Sequence, residues 1–213
     1  MTASPIQSQP ATKTRILDAA ERLFGKNGFE ATSLRDITAE AQVNLAAVNY
    51  HFQTKDSLVD AVIERRILPV NRMRLEMLEA AGASPTLEQI VEAFLAPLLM
   101  LNIRAALPLV GRALSNPNQF LERVYKKHLL VVFDRFSAAM GKALPELPAE
   151  ERFWRLQFMA GAMTHVLALS EILPELSGGG EIDKEALVKR LVAFLAAGLR
   201  APMVETNQRR TGE

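Results

Sequence analysis

The sequence has no cysteine among its 213 residues and no long hydrophobic run. Without thiols, the chain cannot form disulfides, a thiolate zinc site or an iron–sulfur cluster, and it has no cysteine nucleophile. Its longest uncharged hydrophobic stretch, residues 156–170, is shorter than the roughly 20 residues that cross a bilayer. The first residues also lack the basic start and the apolar run of a signal peptide. We therefore expect a cytoplasmic protein with no membrane partner.

Motifs for catalysis and for cofactor binding are missing as well. His51, His128 and His165 are the only histidines, and none stands in a metal-binding spacing such as His-Glu-x-x-His. The glycines at 178–180 are followed by Glu181, without the lysine or hydroxyl residue of a phosphate-binding loop. We therefore predict that the chain is not an enzyme and uses neither a metal nor a cofactor.

The charge balance does not favour nucleic-acid binding by bulk attraction. The net charge is +1, and residues 12–66 hold eight basic and eight acidic side chains. A basic excess is the usual mark of proteins that neutralise phosphates. Any DNA binding must therefore come from the placement of a few donors.

Apolar residues recur at helical spacing along the chain and strand-like alternation is missing, so the predicted fold class is all-α with about nine helices. Capping residues mark several helix starts, among them Ser33, Asn44, Thr86 and Asp183. Pro69 is predicted to kink or interrupt the fourth helix. The predicted helices cover 12–27, 34–42, 45–52, 55–69, 90–101, 117–144, 149–173 and 184–199.

Residues 33–52 contain two short predicted helices joined by the turn 42–44, which is the spacing of a helix-turn-helix motif or of an ordinary helical corner. The second helix carries small or hydrogen-bonding side chains in place of the apolar stripe that burial requires. Such side chains fit a DNA major groove, where alanine methyls meet thymine methyls and Asn49 reaches base edges. Tyr50, His51 and Lys55 are then expected to bind phosphates at the edge of the groove.

Residues 14–41 and 43–52, followed by Lys55 and Leu58, resemble the DNA-binding domain of the TetR family of bacterial regulators. Members of this family commonly carry glycine at the position of Gln42, so a positive φ there would strain the glutamine. The resemblance covers about 50 residues and implies that the second short helix is a DNA recognition helix.

A narrower resemblance, to the PsrA-type subgroup that regulates fatty-acid breakdown, is carried by residues 43–52, 153–155 and 158–161. Together with the composition of the chain ends, the family resemblance divides the chain into four parts. These are a disordered tail at 1–11, a helix-turn-helix DNA-binding domain at 12–58, a ligand-binding and dimerisation domain at 59–200, and a disordered tail at 201–213.

The resemblance further implies a ligand-responsive homodimer that acts as a repressor. Its two recognition helices would bind a palindromic operator on double-stranded DNA, and a small hydrophobic effector would release it. The preferred effector is a fatty acid or an acyl thioester, and the alternative is an aromatic or drug-like compound. A body used only for dimerisation is a further alternative. The predicted DNA-binding residues are Thr32, Ser33, Arg35, Asn44, Leu45, Ala46, Ala47, Asn49, Tyr50, His51 and Lys55.

Apolar and flexible side chains in the second domain are candidates for an effector cavity, although Met and Phe at helical spacing also fill ordinary cores. Arg104 and Arg112 lie in apolar sequence, where each must reach solvent, an ion pair or an anionic effector. The predicted ligand-binding residues are Phe94, Met100, Arg104, Arg112, Phe120, Phe158, Met159 and Met163.

Small residues on the helix at 149–173 and near the end of the helix at 184–199 permit close approach between helices. Two such helices paired with their symmetry mates would form a four-helix interface, whereas the alternative is that both faces are buried within one monomer. The predicted interface residues are Phe158, Gly161, His165, Ala168, Leu191, Phe194, Leu195 and Gly198.

Overall fold

A computed structural model of the chain describes residues 11–100, 122, 125–169, 172–176, 178–179 and 183–203. These residues form nine α-helices and one π-helical turn, without a strand among them, which confirms the all-α prediction. The helices are α1 Thr12–Asn27, α2 Leu34–Ala41, α3 Leu45–Phe52, α4 Lys55–Ala80, α5 Leu87–Met100, α6 Leu130–Ala143, α7 Ala149–Ala168, α8 Leu173–Leu176 and α9 Lys184–Leu199, and the π-helical turn Tyr125–Leu129 directly precedes α6.

Three predicted helix bounds differ from the structure. Helix α5 begins at Leu87 and not at residue 90. Helix α4 continues through Pro69 to Ala80, so of the kink or interruption predicted at Pro69, the interruption does not occur. Pro69 is exposed, and water can hydrogen-bond the carbonyl that loses its partner at a proline. Helix α7 ends at Ala168, short of residue 173, and the short helix α8 follows. The predicted helix start at residue 117 lies outside the described residues.

The chain divides into two compact units. Among the described residues, the first unit holds 11–72, 122 and 125–130, and the second holds 73–100 and the residues from 131 onward. Helix α4 runs on from the first set of residues into the second. The proposed domain boundary after residue 58 stays a prediction.

In the first unit, α1 packs against α2 and α3, and α2 also packs against α3. Apolar side chains from all three helices meet, because each helix places its apolar residues three or four positions apart. The fully buried large side chains of this core are Phe24, Ile16, Ile37, Leu58 and Val48.

The π-helical turn places His128 in a buried position of the first unit. Its carbonyl accepts a hydrogen bond from Asn71 Nδ2 at 2.7 Å. Its ring Nε2 lies 4.0 Å from Glu64 Oε1, and the same carboxylate oxygen is paired with Lys127 Nζ at 2.7 Å. Burial and the charge of Lys127 lower the pKa of His128, while Glu64 and Asp60 oppose this shift.

We expect acid to destabilise the protein partly through His128. Because its pKa is lower in the folded chain, the unfolded chain takes up a proton first when the pH falls. The free energy of unfolding should decrease as the pH drops below about 6.5, the ordinary histidine pKa. Urea titrations near neutral pH and near pH 5 should show a smaller decrease for His128→Gln than for the parent. An equal decrease in both proteins would contradict this assignment.

In the second unit, α9 packs against α5 and also contacts α7. The ring of Phe94 on α5 lies edge-on to Phe133 and Phe136 of α6, with ring centroids 5.9 and 5.2 Å apart. Arg74 is buried beside these rings. Its Nε donates to Phe94 O at 2.8 Å, and its Cζ lies 4.1 Å from the centroid of the Phe94 ring. Burial lowers the pKa of Arg74 to about 9. A charged group therefore sits among apolar side chains in this core.

Candidate nucleic-acid interface and effector unit

The two short helices of the motif begin at side-chain caps. Ser33 Oγ accepts from Asp36 N at 3.2 Å, and Asp36 Oδ2 accepts from Ser33 N at 2.8 Å, which forms a capping box at α2. The hydrogen bonds from the Ser33 side chain and backbone hold the pKa of Asp36 below its usual value. At α3, Asn44 Oδ1 accepts from Ala47 N at 2.9 Å. Both starts agree with the sequence prediction.

The turn between α2 and α3 has the backbone that was expected to strain a glutamine. Gln42 is left-handed, with φ 53° and ψ 49°. Its carbonyl accepts from Arg15 Nη2 at 3.0 Å, and Val43 N donates to Thr38 O at 3.0 Å. Gln53, directly after α3, also has a positive φ of 62°. The backbone therefore adopts a conformation that favours glycine both in the turn before α3 and directly after α3.

Helix α3 has one buried face and one exposed face. Val48 and Phe52, one turn apart, are buried. Leu45 is 45% exposed and Tyr50 is 83% exposed, and Asn49 lies beside Tyr50 on the exposed side. The helix can therefore present side chains to a groove.

The structure places most of the predicted DNA-binding residues at the surface. Ala47, His51 and Lys55 are partly exposed, and Lys55 Nζ lies 3.4 Å from Glu30 O. The residues classed as exposed are Ser33, Arg35, Asn44, Leu45, Ala46, Asn49 and Tyr50.

The prediction for Thr32 is wrong, because its side chain is fully buried. Its Oγ1 donates to Gly28 O at 2.7 Å and approaches Leu23 O at 3.3 Å. The hydroxyl thus satisfies carbonyls at the end of α1, which explains why a polar residue is buried at this position. A buried hydroxyl of this kind stabilises the motif and does not reach a duplex.

Sequence reasoning missed two arginines that hold α1 to the motif. Arg22 donates from Nε and Nη2 to Glu40 Oε1 at 3.1 and 3.0 Å, which ties α1 to α2. Arg15, seven residues earlier on the same face of α1, bonds the Gln42 carbonyl. Two basic residues at this spacing were the available signal, because residues seven apart share a helix face.

The predicted effector-binding residues do not all gather in one place. Phe94, Met159 and Met163 are buried, and Met163 Sδ lies 3.6 Å from Arg74 Nη2. Met100 and Phe158 are each 65% exposed and so are not buried with these three, and their assignment to an effector cavity stays a prediction. The remaining predicted residues, Arg104, Arg112 and Phe120, lie outside the described residues.

A groove of about 220 Å³ lies elsewhere in the second unit, between the end of α4 and α6. It includes the ion pair between Arg135 and Glu79, whose Nη2 and Oε1 are 3.4 Å apart. The predicted effector-binding residues that the structure describes do not line this groove. The residues along it include Leu75, Leu78, Pro85, Arg135, Ala138 and Lys142.

The predicted interface residues of α7 form one exposed stripe. Phe158, Gly161, His165 and Ala168 are three or four positions apart and are all exposed. Trp154, one turn before Phe158, is 49% exposed, and the two rings stack with centroids 6.3 Å apart. The stripe therefore offers aromatic and small residues to the outside of the single chain.

The predicted interface residues of α9 are divided between two faces. Phe194 is 72% exposed, Gly198 is exposed and Leu191 is partly exposed. Leu195 is only 8% exposed, so its assignment to the interface is wrong and it packs within its own unit. An added Cβ at Gly161 or at Gly198 would meet no atom within 4 Å. Both glycines therefore leave room for a neighbouring helix.

Within the part of the chain that the structure describes, no helix has the length and hydropathy required to span a membrane. The same residues contain no group of three or more histidine, aspartate or glutamate side chains placed to hold a metal ion.

Two family models match the chain. Residues 16–62 match the model described as bacterial regulatory proteins of the tetR family, and residues 92–198 match the tetracyclin repressor-like C-terminal domain. The HTH-type transcriptional repressor Rv3405c of Mycobacterium tuberculosis is 53% identical over 49 residues, which cover 23% of this chain and 26% of that protein. The chain thus matches about a quarter of the length of such curated relatives.

Solved structures share the fold over most of the chain. The fatty acid degradation regulator FadR from Bacillus halodurans is 18% identical with a TM-score of 0.66, over 92% of this chain and 100% of that one. The ketosteroid transcriptional regulator KstR2 of Mycobacterium tuberculosis is 13% identical with a TM-score of 0.63, and the match covers 90% of this chain and 96% of that one. With both domain models matched, the chain belongs to the TetR family, whose members are bacterial transcriptional regulators and not enzymes.

Proposed function

We propose that the chain is a cytoplasmic, ligand-responsive repressor that binds a palindromic operator as a homodimer. The observation that carries this proposal is that helix α3 has one buried face and one exposed face. It buries Val48 and Phe52 and leaves Asn49 and Tyr50 exposed beside a capped helix start. Two such helices, one from each protomer, would enter successive major grooves.

The exposed residues of α3 suit two kinds of DNA contact. Asn49 is exposed and would hydrogen-bond a base edge, because an amide can donate and accept at adenine. Tyr50 and His51, whose ring centroids are 5.1 Å apart, and Lys55 at the start of α4 would bind phosphates. Asn49 would then determine the preference for a base sequence, and the three phosphate-binding residues would fix the position of the protein on the duplex.

The exposed stripe on α7 supports the homodimer. Its aromatic residues would be an unfavourable exposed surface in a monomer, whereas a two-fold axis would cover them with the same stripe of a second copy. Phe158 and Phe194 supply apolar area, and the open space over Gly161 and Gly198 permits close helix approach. Regulators of this family typically dimerise through their C-terminal domains, which also supports this arrangement.

For the effector, we propose a fatty acid or an acyl thioester. The buried residues Phe94, Met159 and Met163 provide apolar and flexible side chains, and Arg74 adds a buried cation beside them. The narrower PsrA-type resemblance and the fold shared with a fatty acid degradation regulator agree with this class. An aromatic or drug-like compound is the second candidate. The cluster of the Phe94, Phe133 and Phe136 rings favours it.

Substitutions at Asn49 and Lys55 test the DNA-binding proposal. With an operator selected by the parent from random duplexes, we expect Asn49→Ala to lose about 1–3 kcal/mol of binding free energy and to relax the preference at one base position. Lys55→Ala should weaken operator and scrambled duplexes alike and lower the salt slope by about one unit. Fluorescence anisotropy titrations over a salt series measure both effects.

Thr38→Ala serves as the control, because the hydroxyl of this partly exposed residue on α2 donates to the Arg35 carbonyl one turn earlier, at 2.8 Å. Its affinity for both duplexes should stay close to that of the parent. Equal losses on both duplexes for Asn49→Ala would show that Asn49 contacts the backbone. No selectable duplex for the parent would contradict the proposed function.

A further inference from the structure

The groove between the end of α4 and α6 is shaped by the turn that follows α4. Gly82 has a left-handed backbone with φ 85°, and its N–H donates to Glu79 O at 3.0 Å. At the other end of the turn, Thr86 caps α5: its N–H donates to Gln89 Oε1 at 2.9 Å, and its Oγ1 accepts from Gln89 N at 3.3 Å. Local hydrogen bonds therefore hold both ends of the turn, so the groove is formed without a ligand.

Aliphatic side chains form the walls of the groove. Leu75 and Leu78 of α4 are half-buried there, and Pro85 and Ala139 are buried. Among the described residues that line the groove, none is aromatic. A planar ring would find no partner ring to stack on, so the walls suit an aliphatic group.

The rim of the groove carries more positive than negative charge. Arg135 and Lys142 are seven residues apart on α6 and thus share one face of that helix. Arg135 is paired with Glu79 at 3.4 Å, and both side chains are largely exposed. Lys142 Nζ lies 3.4 Å from the neutral carbonyl of Ala83. Because an ammonium group has three donors, one long contact to a carbonyl leaves Lys142 able to bind a carboxylate.

The volume of the groove limits the size of a ligand. The groove holds about 220 Å³, which is less than the roughly 300–1,000 Å³ of sites for drug-sized ligands. A water molecule occupies about 30 Å³ in the liquid, so the space equals roughly seven waters, or a carboxylic acid of about six carbons. A long acyl chain would extend beyond it.

We propose that this groove binds a short aliphatic monocarboxylate, whose tail packs against Leu75 and Leu78 and whose carboxylate is bound by Lys142. Arg135 adds positive charge at the same rim, and its exposed ion pair with Glu79 can open at little cost. The described residues of the predicted effector site do not line the groove. The short acid would therefore bind in addition to the effector proposed above.

Hexanoate is the probe for this site. In protein with isotope-labelled leucine methyl groups, a nuclear magnetic resonance titration with hexanoate should shift the signals of Leu75 and Leu78 along a saturable curve. Hexanol has the same tail without the charge and should bind at least about tenfold more weakly. Affinity should rise about tenfold from butanoate to hexanoate and level off beyond about eight carbons, because the groove is then full.

Two variants locate the bound acid. Lys142→Met keeps an unbranched side chain but removes the ammonium, so the Kd for hexanoate should rise about tenfold. Ala83→Leu should fill the groove and weaken hexanoate and hexanol alike. The matched control is Lys189→Met, which removes an exposed lysine of the same unit that is paired with Glu185 and does not line the groove. This control should bind hexanoate like the parent.

Each contrary outcome is distinct. Hexanol that binds as tightly as hexanoate, or parental affinity in Lys142→Met, overturns the proposal. An affinity that keeps rising with chain length and does not respond to Ala83→Leu places the acid in another site and also overturns it. If Ala83→Leu melts at a much lower temperature than the parent, Lys142→Met decides. Because operator titrations are made without the acid, a failure here leaves the proposed DNA-binding function standing.

Discussion

Under the proposed homodimer, Gly161→Leu should leave the protein monomeric at concentrations at which the parent forms dimers. Gly161 lies on the exposed stripe of α7, and a leucine there would keep apart two helices that must approach closely. The fold of the single chain should survive, because an added Cβ meets nothing within 4 Å and leucine favours a helix by roughly 1 kcal/mol over glycine. Sedimentation equilibrium measures the change in mass.

Operator affinity should fall together with the dimer. A dimer holds both recognition helices on one duplex, and loss of this linkage is expected to reduce affinity by about 100-fold or more. Ala138→Leu is the control, since it adds a leucine at another exposed helical position of the same unit. An unchanged dimer in Gly161→Leu would show that the stripe faces no second copy.

Phe24→Ala should unfold the DNA-binding motif. Phe24 is fully buried in the core of the first unit, and its ring centroid lies 5.1 Å from that of Phe29. Removing a buried phenylalanine ring costs about 3–5 kcal/mol, which is a large part of the roughly 5–15 kcal/mol that stabilises a typical domain. Urea unfolding followed by circular dichroism should show the loss, and operator binding should disappear at the temperature where the motif unfolds.

Tyr50→Ala is the matched aromatic control for this prediction. Tyr50 is 83% exposed, so its removal should change the free energy of unfolding by less than about 0.5 kcal/mol. It should nevertheless weaken binding to every duplex, because the phosphate contact proposed for Tyr50 would be lost. A parental urea midpoint for Phe24→Ala would contradict the assignment of Phe24 to the core.

Local signals in the sequence predict the motif well. The bounds of α1 and α3 agree with the prediction, because Asn44 caps α3 and Gly28 ends α1 with a positive φ of 88°. Gln42 has the left-handed backbone that its comparison with glycine suggested. Caps and turns depend on residues close in sequence, so a single chain reveals them.

Which side chains become buried in the tertiary structure is harder to predict from the same sequence. Thr32, which precedes the cap residue Ser33, was predicted to bind DNA. Its hydroxyl is buried instead and donates to the Gly28 carbonyl at the end of α1. Leu195 and Phe194 are neighbours of similar hydrophobicity, and only packing against the rest of the unit decides which one is buried. Pro69 was expected to kink or interrupt α4, and the helix continues through it, because on an exposed helix face water can replace the lost hydrogen bond.

The stacked rings on α7 give the protein an internal optical probe. Trp154 is the only tryptophan of the chain, and it is 49% exposed on the helix that carries Phe158. Indole emission shifts to shorter wavelengths when water around the ring is replaced by apolar groups. The emission of the unlabelled protein therefore reports how much of this helix face is covered at each concentration, and iodide quenching of the same band measures how accessible the ring remains.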